Sequence, residues 1–374
     1  MRILFVCSCI EPGSDGVGDY TQKMCDALIK IGHEVSILAI YDSYVTGKIN
    51  QLHNSAYFSY STTRIGANTK YKQRFKWSHE CITAFKPDWV SVQFVPFGFN
   101  AKGLPFWLPK FLAKLDGNYS WQIMFHELWI GRGKDTSLKN KIVSVTQEHI
   151  VKKLIAKLQP KVIHTHLPTY QRNLLKITNT IKPLPLFSNI EPVSNTVGSS
   201  IENRFRWAFF SQVSAAPEII AFINAVNIQL VTKGIFTELV IIGGNKSKMA
   251  TFVADFKQKC TSVNMVTCTG FLSEKEISNE LSQSSLGITP VPRHAIGKSG
   301  TVAAFLAHGI PVAAPIFINN YEQDEIGFFD VNWIGTIITT PNLKEIEFAC
   351  EVAQKYKKHF LVDEITKQLI KDLT

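Results

Sequence analysis

The sequence predicts an α/β protein of two Rossmann-like domains, each a parallel sheet covered by helices. Three observations predict it. Short continuous apolar runs recur, each followed by residues at helical spacing; continuous rather than alternating runs mark strands buried on both faces, and strand–helix alternation marks a parallel sheet. The series breaks once, at residues 189–203, where Pro, Ser, Asn, Thr and Gly dominate and periodicity vanishes, as in an interdomain linker. The 374 residues, 45% hydrophobic and 19% charged, supply material for two cores.

Taken in order, the first series predicts strands at residues 3–7, 35–40, 89–94, 121–125 and 161–165. Its opening unit is the clearest. A strand leads into a loop at 11–18, and a helix follows with Tyr20, Met24, Ala27, Leu28 and Ile31 at apolar spacing. Gly32 closes that helix as a left-handed cap, and the next strand begins at once. The second series predicts strands at 206–210, 238–242, 265–268, 286–289, 310–314 and 335–339, with helices at 217–232 and 300–308. Ser273-Glu274-Lys275-Glu276 has the form of a capping box and opens another helix. The expected division is an N-terminal domain over 1–190, a linker over 191–203, a C-terminal domain over 204–342, and a helical segment over 343–374 that is free to pack back on the N-domain.

Composition narrows the partners. A net charge of +10 favours anionic ligands without choosing among nucleotides, acidic glycans and membrane headgroups. No nucleic-acid recognition motif accompanies it. The seven cysteines are odd in number and scattered, which suits a reducing compartment better than a disulfide framework. The first residues lack the form of a signal peptide and no apolar stretch reaches about 18 residues. The expectation is therefore a cytoplasmic protein, with peripheral contact at the inner membrane face left open. Residues 104–115 are amphipathic, aromatic and basic; they suit either a membrane interface or packing on a sheet, and packing is the favoured reading. Arg64, Lys70, Lys72, Arg74 and Lys76 form a basic stretch that would extend an anionic acceptor surface.

Three places could carry chemistry. The loop at 13–18 lies between a buried strand and a helix start, where free N–H groups cradle anions and Gly16 and Gly18 permit close approach. Its spacing is not that of the dinucleotide fingerprint, and no acidic residue clearly ends the second strand as a ribose partner, Asp42 lying just beyond it. At 293–301, Arg293 and Lys298 can pair with phosphate oxygens while Ser299, Gly300 and Thr301 offer N–H and hydroxyl donors at a helix start. The glycine spacing excludes a Walker loop. At 125–129, His126 sits at a strand's carboxyl end, where parallel sheets bind ligands, with Glu127 beside it and Trp129 able to stack on a sugar ring. His164 and His166 share one face of a strand, without the further ligands zinc would need. Glu322, Asp324 and Glu325 read as a solvated acidic loop.

These motifs, in this order, resemble glycosyltransferase family 4, of the GT-B fold, over nearly the whole chain. The opening strand, Gly16-Val17-Gly18 and Gly32-His33-Glu34-Val35 resemble that family's N-terminal domain. Gly270-Phe271-Leu272 and Gly309-Ile310-Pro311-Val312 resemble its donor-binding domain. The resemblance implies two Rossmann-like domains whose sheets face each other across a cleft. It implies transfer of a hexose-type sugar from a UDP- or GDP-sugar to a glycan or lipid-linked acceptor, with retained configuration, no metal and no cofactor. By the same resemblance His126 matches the family's N-domain histidine and Gly16 and Gly18 its loop near the donor phosphates. Read from the chain itself, Arg293 and Lys298 are expected to be catalytic beside His126, Gln212, Leu272, Ser299, Gly300 and Thr301 to join Gly16 and Gly18 in binding the donor, and Glu127 and Trp129 to bind the acceptor.

Two departures stand out. The family's paired glutamates before Gly-x-Pro are replaced by Ile296 and Ala304, and the Arg and Lys after its first C-domain strand are absent from residues 211–216. Arg293 and Lys298 are expected to supply the missing charge. A nucleotide-sugar epimerase and an inactive nucleotide-sugar-binding protein are the rival readings.

Overall fold

The computed structural model describes residues 1–55, 58–115, 117–130, 137–193, 203–317 and 325–374. The acidic loop at 322–324 and most of the linker lie outside them. The chain forms two compact units, Met1–Leu184 with Thr366–Thr374, and Pro185–Ile365.

The first unit holds strands β1 (Arg2–Cys7), β2 (Glu34–Asp42), β3 (Lys48–Asn54), β4 (Ser59–Gly66), β5 (Trp89–Phe94), β6 (Ser120–Phe125), β7 (Val162–Thr165) and β8 (Ile181–Pro183). Their order across the sheet is β3-β4-β2-β1-β5-β6-β7-β8. Every pairing is parallel except that of β3 with β4. Helices α1 (Gly16–Lys30), α2 (Tyr71–Phe85), α3 (Leu108–Ala113), α4 (Leu138–Leu158) and α5 (Pro168–Leu175) connect the strands. The central strands are apolar because they are covered on both sides: all six residues of β5 are buried. The antiparallel β3–β4 edge went unread because β3 is mostly exposed and polar, with none of the continuous apolar run that marks a central strand.

The second unit holds β9 (Arg204–Phe210), β10 (Phe236–Ile242), β11 (Met265–Cys268), β12 (Leu286–Ile288), β13 (Val312–Ala313) and β14 (Ile337–Ile338), in the order β11-β10-β9-β12-β13-β14, all parallel. Its helices are α6 (Pro217–Val231), α7 (Lys246–Lys259), α8 (Glu274–Ser282), α9 (Gly300–Ala307) and α10 (Leu343–Tyr356). Alternation along β9 shows the two-sided core directly. Trp207 and Phe209 pack with Ile219, Ile223 and Phe256 on one face, and Ala208 packs with Leu281 and Phe305 on the other. The capping box is present: Ser273 and Glu276 cap each other's amides at the start of α8.

Three local readings take definite form. The segment at 343–374 is two helices, α10 and α11 (Val362–Leu373), separated by a 3-10 turn at Lys357–Phe360; the end of α11, from Thr366, belongs to the first unit. Within residues 104–115, α3 buries Leu108, Phe111 and Leu112 in the core of the first unit, so its apolar face is used for packing. The basic stretch at 64–76 is not one surface. Arg64 and Arg74 are buried, the first in an ion pair with Asp42. Arg74 donates to the Gly66 and Ala67 carbonyls and lies over the rings of Tyr41 and Trp107. No helix among the described residues is long and apolar enough to cross a membrane.

Candidate functional site

In an open parallel sheet, ligands gather at the carboxyl ends of the strands. In the first unit the β1–α1 turn lies at that edge. Asp15 caps α1, its carboxylate accepting from the Val17 amide, and Asp19 accepts from the Gly13 amide. Two carboxylates therefore occupy amide donors that a phosphate would otherwise use.

The two candidate glycines differ. A Cβ on Gly18 would lie 2.9 Å from both the Cys9 carbonyl oxygen and the Ile10 Cα, whereas one on Gly16 would meet nothing within 4 Å. Gly18 lets α1 cross closely over the strand exit; Gly16 borders open space. Gly18→Ala is expected to lose about 1–3 kcal/mol of stability, read as a lowered melting temperature. Gly16→Ala should melt like the parent, so any loss of nucleotide affinity in it would report a ligand at that point.

Asp42 ends β2 with both carboxylate oxygens engaged. Arg64 Nε donates to one at 2.7 Å, and the Tyr44 amide donates to the other at 2.9 Å. Arg64 also reaches Glu11 at 2.6 Å. Asp42 is thus a partner of Arg64, placed as the cation's counter-charge and not as a free ribose acceptor.

His126 follows β6 and is 7% exposed. Its Nε2 lies 2.8 Å from Gln93 Oε1 and its Nδ1 3.0 Å from His166 Nε2. The Tyr20 ring meets it edge-on at 4.8 Å between centroids. Burial, then the neighbouring His166, push its pKa well below the ordinary imidazole value, so it is neutral at physiological pH. Both ring nitrogens already have partners inside the unit, and contact with a substrate requires one of them to yield.

Glu127 and Trp129 are half-buried. Trp129 packs against the core of the first unit, while Gln147 of α4 accepts from the Ile130 amide and donates to the Gly103 carbonyl. That bond fixes the loop entering residues 131–136, which lie outside the described residues.

In the second unit, the strand ends turn through backbone with positive φ at Ser211, Gly243, Gly244 and Gly270. Gln212 is exposed there, and Leu272 is partly buried beside the exposed Phe271. Residues Arg293–Lys298 form a 3-10 turn leading directly into α9. Ser299 caps α9 by accepting from the Val302 amide and lies 3.0 Å from the Thr301 hydroxyl. Gly300 is exposed, and a Cβ there would meet nothing within 4 Å.

The two cations differ in placement. Arg293 donates through Nε to the Ala314 carbonyl and through Nη2 to that of Thr339, and lies over the Phe317 ring. It ties the ends of β13 and β14 together. Lys298 stands at the helix start itself, where the backbone dipole and an ammonium act in the same sense on an anion. Ile296 and Ala304 are buried in the core, so neither position presents a polar group to a ligand.

A cavity of about 920 Å³ also lies in this unit, lined by Arg204, Arg206, Lys233, Ser285, Gly309 and Glu347 among others. It sits at the amino-terminal starts of β9 and β12, the edge opposite to the one where such sheets bind ligands. Among the described residues no group of three or more His, Cys, Asp or Glu side chains is arranged to hold a metal, and the cysteines are free thiols.

No protein-family profile matches the chain, and no curated protein sequence does. Solved structures do. Sucrose-phosphate synthase from Thermosynechococcus elongatus aligns with a TM-score of 0.64 at 12% identity, covering 99% of this chain and 98% of that one. HepE of Anabaena, in complex with UDP, aligns at 0.61 and 13%, covering 100% and 99%. The α,α-trehalose-phosphate synthase (UDP-forming) of Burkholderia xenovorans, with glucose-6-phosphate, aligns at 0.63 and 8%, covering 100% of both. The shared architecture is the GT-B fold: two α/β units with parallel sheets of eight and six strands, the first carrying one antiparallel edge strand.

Proposed function

We propose that this chain is a nucleotide-sugar-dependent glycosyltransferase. It moves a hexose-type sugar from a UDP- or GDP-linked donor to a glycan or lipid-linked saccharide, with retained configuration and without a metal. The observation that carries the reading is the α9 start. Lys298 and the hydroxyls of Ser299 and Thr301 stand at a helix N-terminus on the carboxyl edge of a parallel sheet. The likeness over the full length to enzymes described with UDP and with sugar phosphates supports it.

The chemistry follows from where charge develops. When the bond between the sugar and the diphosphate breaks, negative charge builds on the leaving oxygen. Fixed dipoles and a nearby ammonium stabilise that charge more than they stabilise the bound donor, and so lower the barrier. Lys298 and the α9 amides fill this role. Arg293 acts as a strut, holding the ends of β13 and β14 against the same turn. Gln212 and Leu272, at the ends of β9 and β11, are the further donor contacts in the second unit; in the first unit Gly16, which borders open space, is the ligand contact of the β1–α1 turn, and Gly18 serves packing. In the first unit His126, with Glu127 and Trp129 after it, is the group that contacts a sugar; its Nε2 bonds a sugar hydroxyl by giving up Gln93.

The test is calorimetric titration of the full chain with UDP, GDP, UDP-glucose and GDP-mannose, followed by release of nucleoside diphosphate from whichever donor binds. Saturable binding of one base with slow donor breakdown supports the reading, and no binding of any of the four at millimolar concentration ends it. The buried Ile296 and Ala304 favour one rival, a binding protein without turnover, because no carboxylate stands at either position. Tight donor binding without nucleotide release, across a range of saccharide acceptors, would select that rival. Formation of an epimeric donor would select an isomerase.

A further inference from the structure

Six polar side chains form one hydrogen-bonded row across a buried face of β5, β6 and β7: Ser91, Gln93, Gln122, His126, His164 and His166, each at most 7% exposed. The row starts at the Leu184 carbonyl, 2.9 Å from His166 Nδ1, and passes from His166 Nε2 to His126 Nδ1 at 3.0 Å. It continues from His126 Nε2 to Gln93, from Gln93 to the Ser91 hydroxyl, and from there to Gln122. Gln122 lies 3.0 Å from His164 Nδ1, and His164 Nε2 lies 3.1 Å from the Asp372 carboxylate.

Both ends of this row can only accept. A peptide carbonyl and a carboxylate carry no hydrogen to give, so the seven contacts need seven hydrogens from the six side chains between them. A neutral histidine brings one ring hydrogen, a hydroxyl one, and a glutamine that uses its oxygen on one side brings one on the other. The neutral row is therefore one hydrogen short, and turning either amide reverses the direction of the bonds without changing the count. A shortfall inside a protein core sets two lone pairs against each other, a costly arrangement in a low-dielectric interior.

We propose that the row holds one proton beyond its neutral complement, and that this shared proton makes His166, His164 and Asp372 positioning residues that decide which nitrogen of His126 carries hydrogen. Two placements satisfy every contact. With the proton at His164, that ring donates to both Asp372 and Gln122; the amides and the hydroxyl turn, and His126 donates from Nδ1 to His166 and accepts at Nε2. With the proton on the His126–His166 pair, His126 donates from Nε2 to Gln93 and the bonds run the other way.

Among the described residues, the groups in contact with the His126 ring are Tyr20 of α1, Gln93 and His166. Those facing His164 and its carboxylate are Asp372 and Gln368 of α11 and Lys182 of β8. Burial leaves the His164 pKa below the ordinary imidazole value even though the hydrogen bond and charge of Asp372 raise it; it is the row's missing hydrogen, together with that adjacent carboxylate, that makes His164 the resting place. The geometry thus couples the last turn of the chain to the imidazole at the end of β6.

Nuclear magnetic resonance of the full chain with isotope-labelled histidine tests this without any substrate. At about pH 7.5, where ordinary histidines are neutral, the wild type is expected to show one exchange-protected imidazolium. Asp372→Asn supplies a donor at that end, so the row closes with neutral groups and the imidazolium signal disappears. A wild type with no buried imidazolium overturns the proposal, as does a folded D372N that keeps one. If D372N does not fold, the wild-type spectrum decides alone. A kinetic arm rests on the transferase reading: D372N should move the pH profile of turnover by about one unit with donor KM unchanged. An unmoved profile removes the positioning role. A chain with no transferase activity removes the proposed function and leaves the spectroscopic result intact.

Discussion

Replacing Arg64 with methionine is expected to destabilise the first unit by about 3–5 kcal/mol, the usual consequence of stripping one partner from a buried ion pair. Asp42 is fully buried, and Arg64 has a side-chain exposure of only 9%. Methionine keeps most of the volume and removes the charge. The Asp42 carboxylate then retains only the Tyr44 amide and the Cys9 thiol as donors, and Glu11 loses its partner as well. Denaturant unfolding of the variant checks the magnitude. The double variant Arg64→Met with Asp42→Leu should recover much of the loss, because no buried charge is left unpaired.

The pH dependence has a definite sign. Burial alone would raise the Asp42 pKa, but the hydrogen bond and charge of Arg64 and the Tyr44 amide hold it below the ordinary carboxylate value. A depressed folded pKa gives stability that is present above the unfolded value, about 3.9, and is lost as pH falls through the folded one. The gap between wild type and Arg64→Met should therefore be widest near neutrality and narrow below about pH 4. The Asp372 carboxyl follows the same rule. Burial would raise its pKa, but hydrogen bonds from His164, Gln368 and Lys182 bring it down to about 2. Its share of stability is lost between the unfolded value and that one.

The second large effect is kinetic. Lys298→Ala is expected to lower kcat for sugar transfer by about 10²–10³-fold, the range for removing one preorganised stabiliser of developing charge. Lys298 is half-buried at the surface start of α9, so the melting temperature should change little. Arg293→Lys should behave in the opposite way. Lysine cannot reproduce the fork that bonds the Ala314 and Thr339 carbonyls together, so that variant should melt earlier by an amount set by about 1–3 kcal/mol of unpaired polar groups. Steady-state rates and melting curves on the same two proteins separate charge stabilisation from bracing. Wild-type turnover in Lys298→Ala would remove the role given to that residue.

Much of this architecture was legible in the chain because its signals are local. Val92 and Phe94, or Leu239 and Ile241, sit in runs that only a strand covered on both faces tolerates. Ser273 with Glu276 announces a helix start within four residues. The α9 start was legible for the same reason: its cation, hydroxyls and glycine are neighbours in sequence. The polar row also left a trace. Ser91 and Gln93, Gln122 and His126, and His164 and His166 interrupt apolar strands with residues an even number apart, so each pair shares a sheet face. Only His164 and His166 were read that way, since an isolated polar residue in a strand gives no sign of the partner that will satisfy it.

The sequence by itself determined that there are two parallel sheets, where most of their strands and helices begin, and which helix start gathers positive charge. Periodicity, caps and glycines act over a few residues and need no distant partner. Tertiary structure alone decided that Arg64 and Arg74 are buried, that Gly18 and not Gly16 is sterically required, and that Asp372 meets His164 across 208 residues of chain. Those outcomes turn on which side chains are removed from water together. A buried charge or imidazole takes its properties from whatever folding brings within about 3 Å of it.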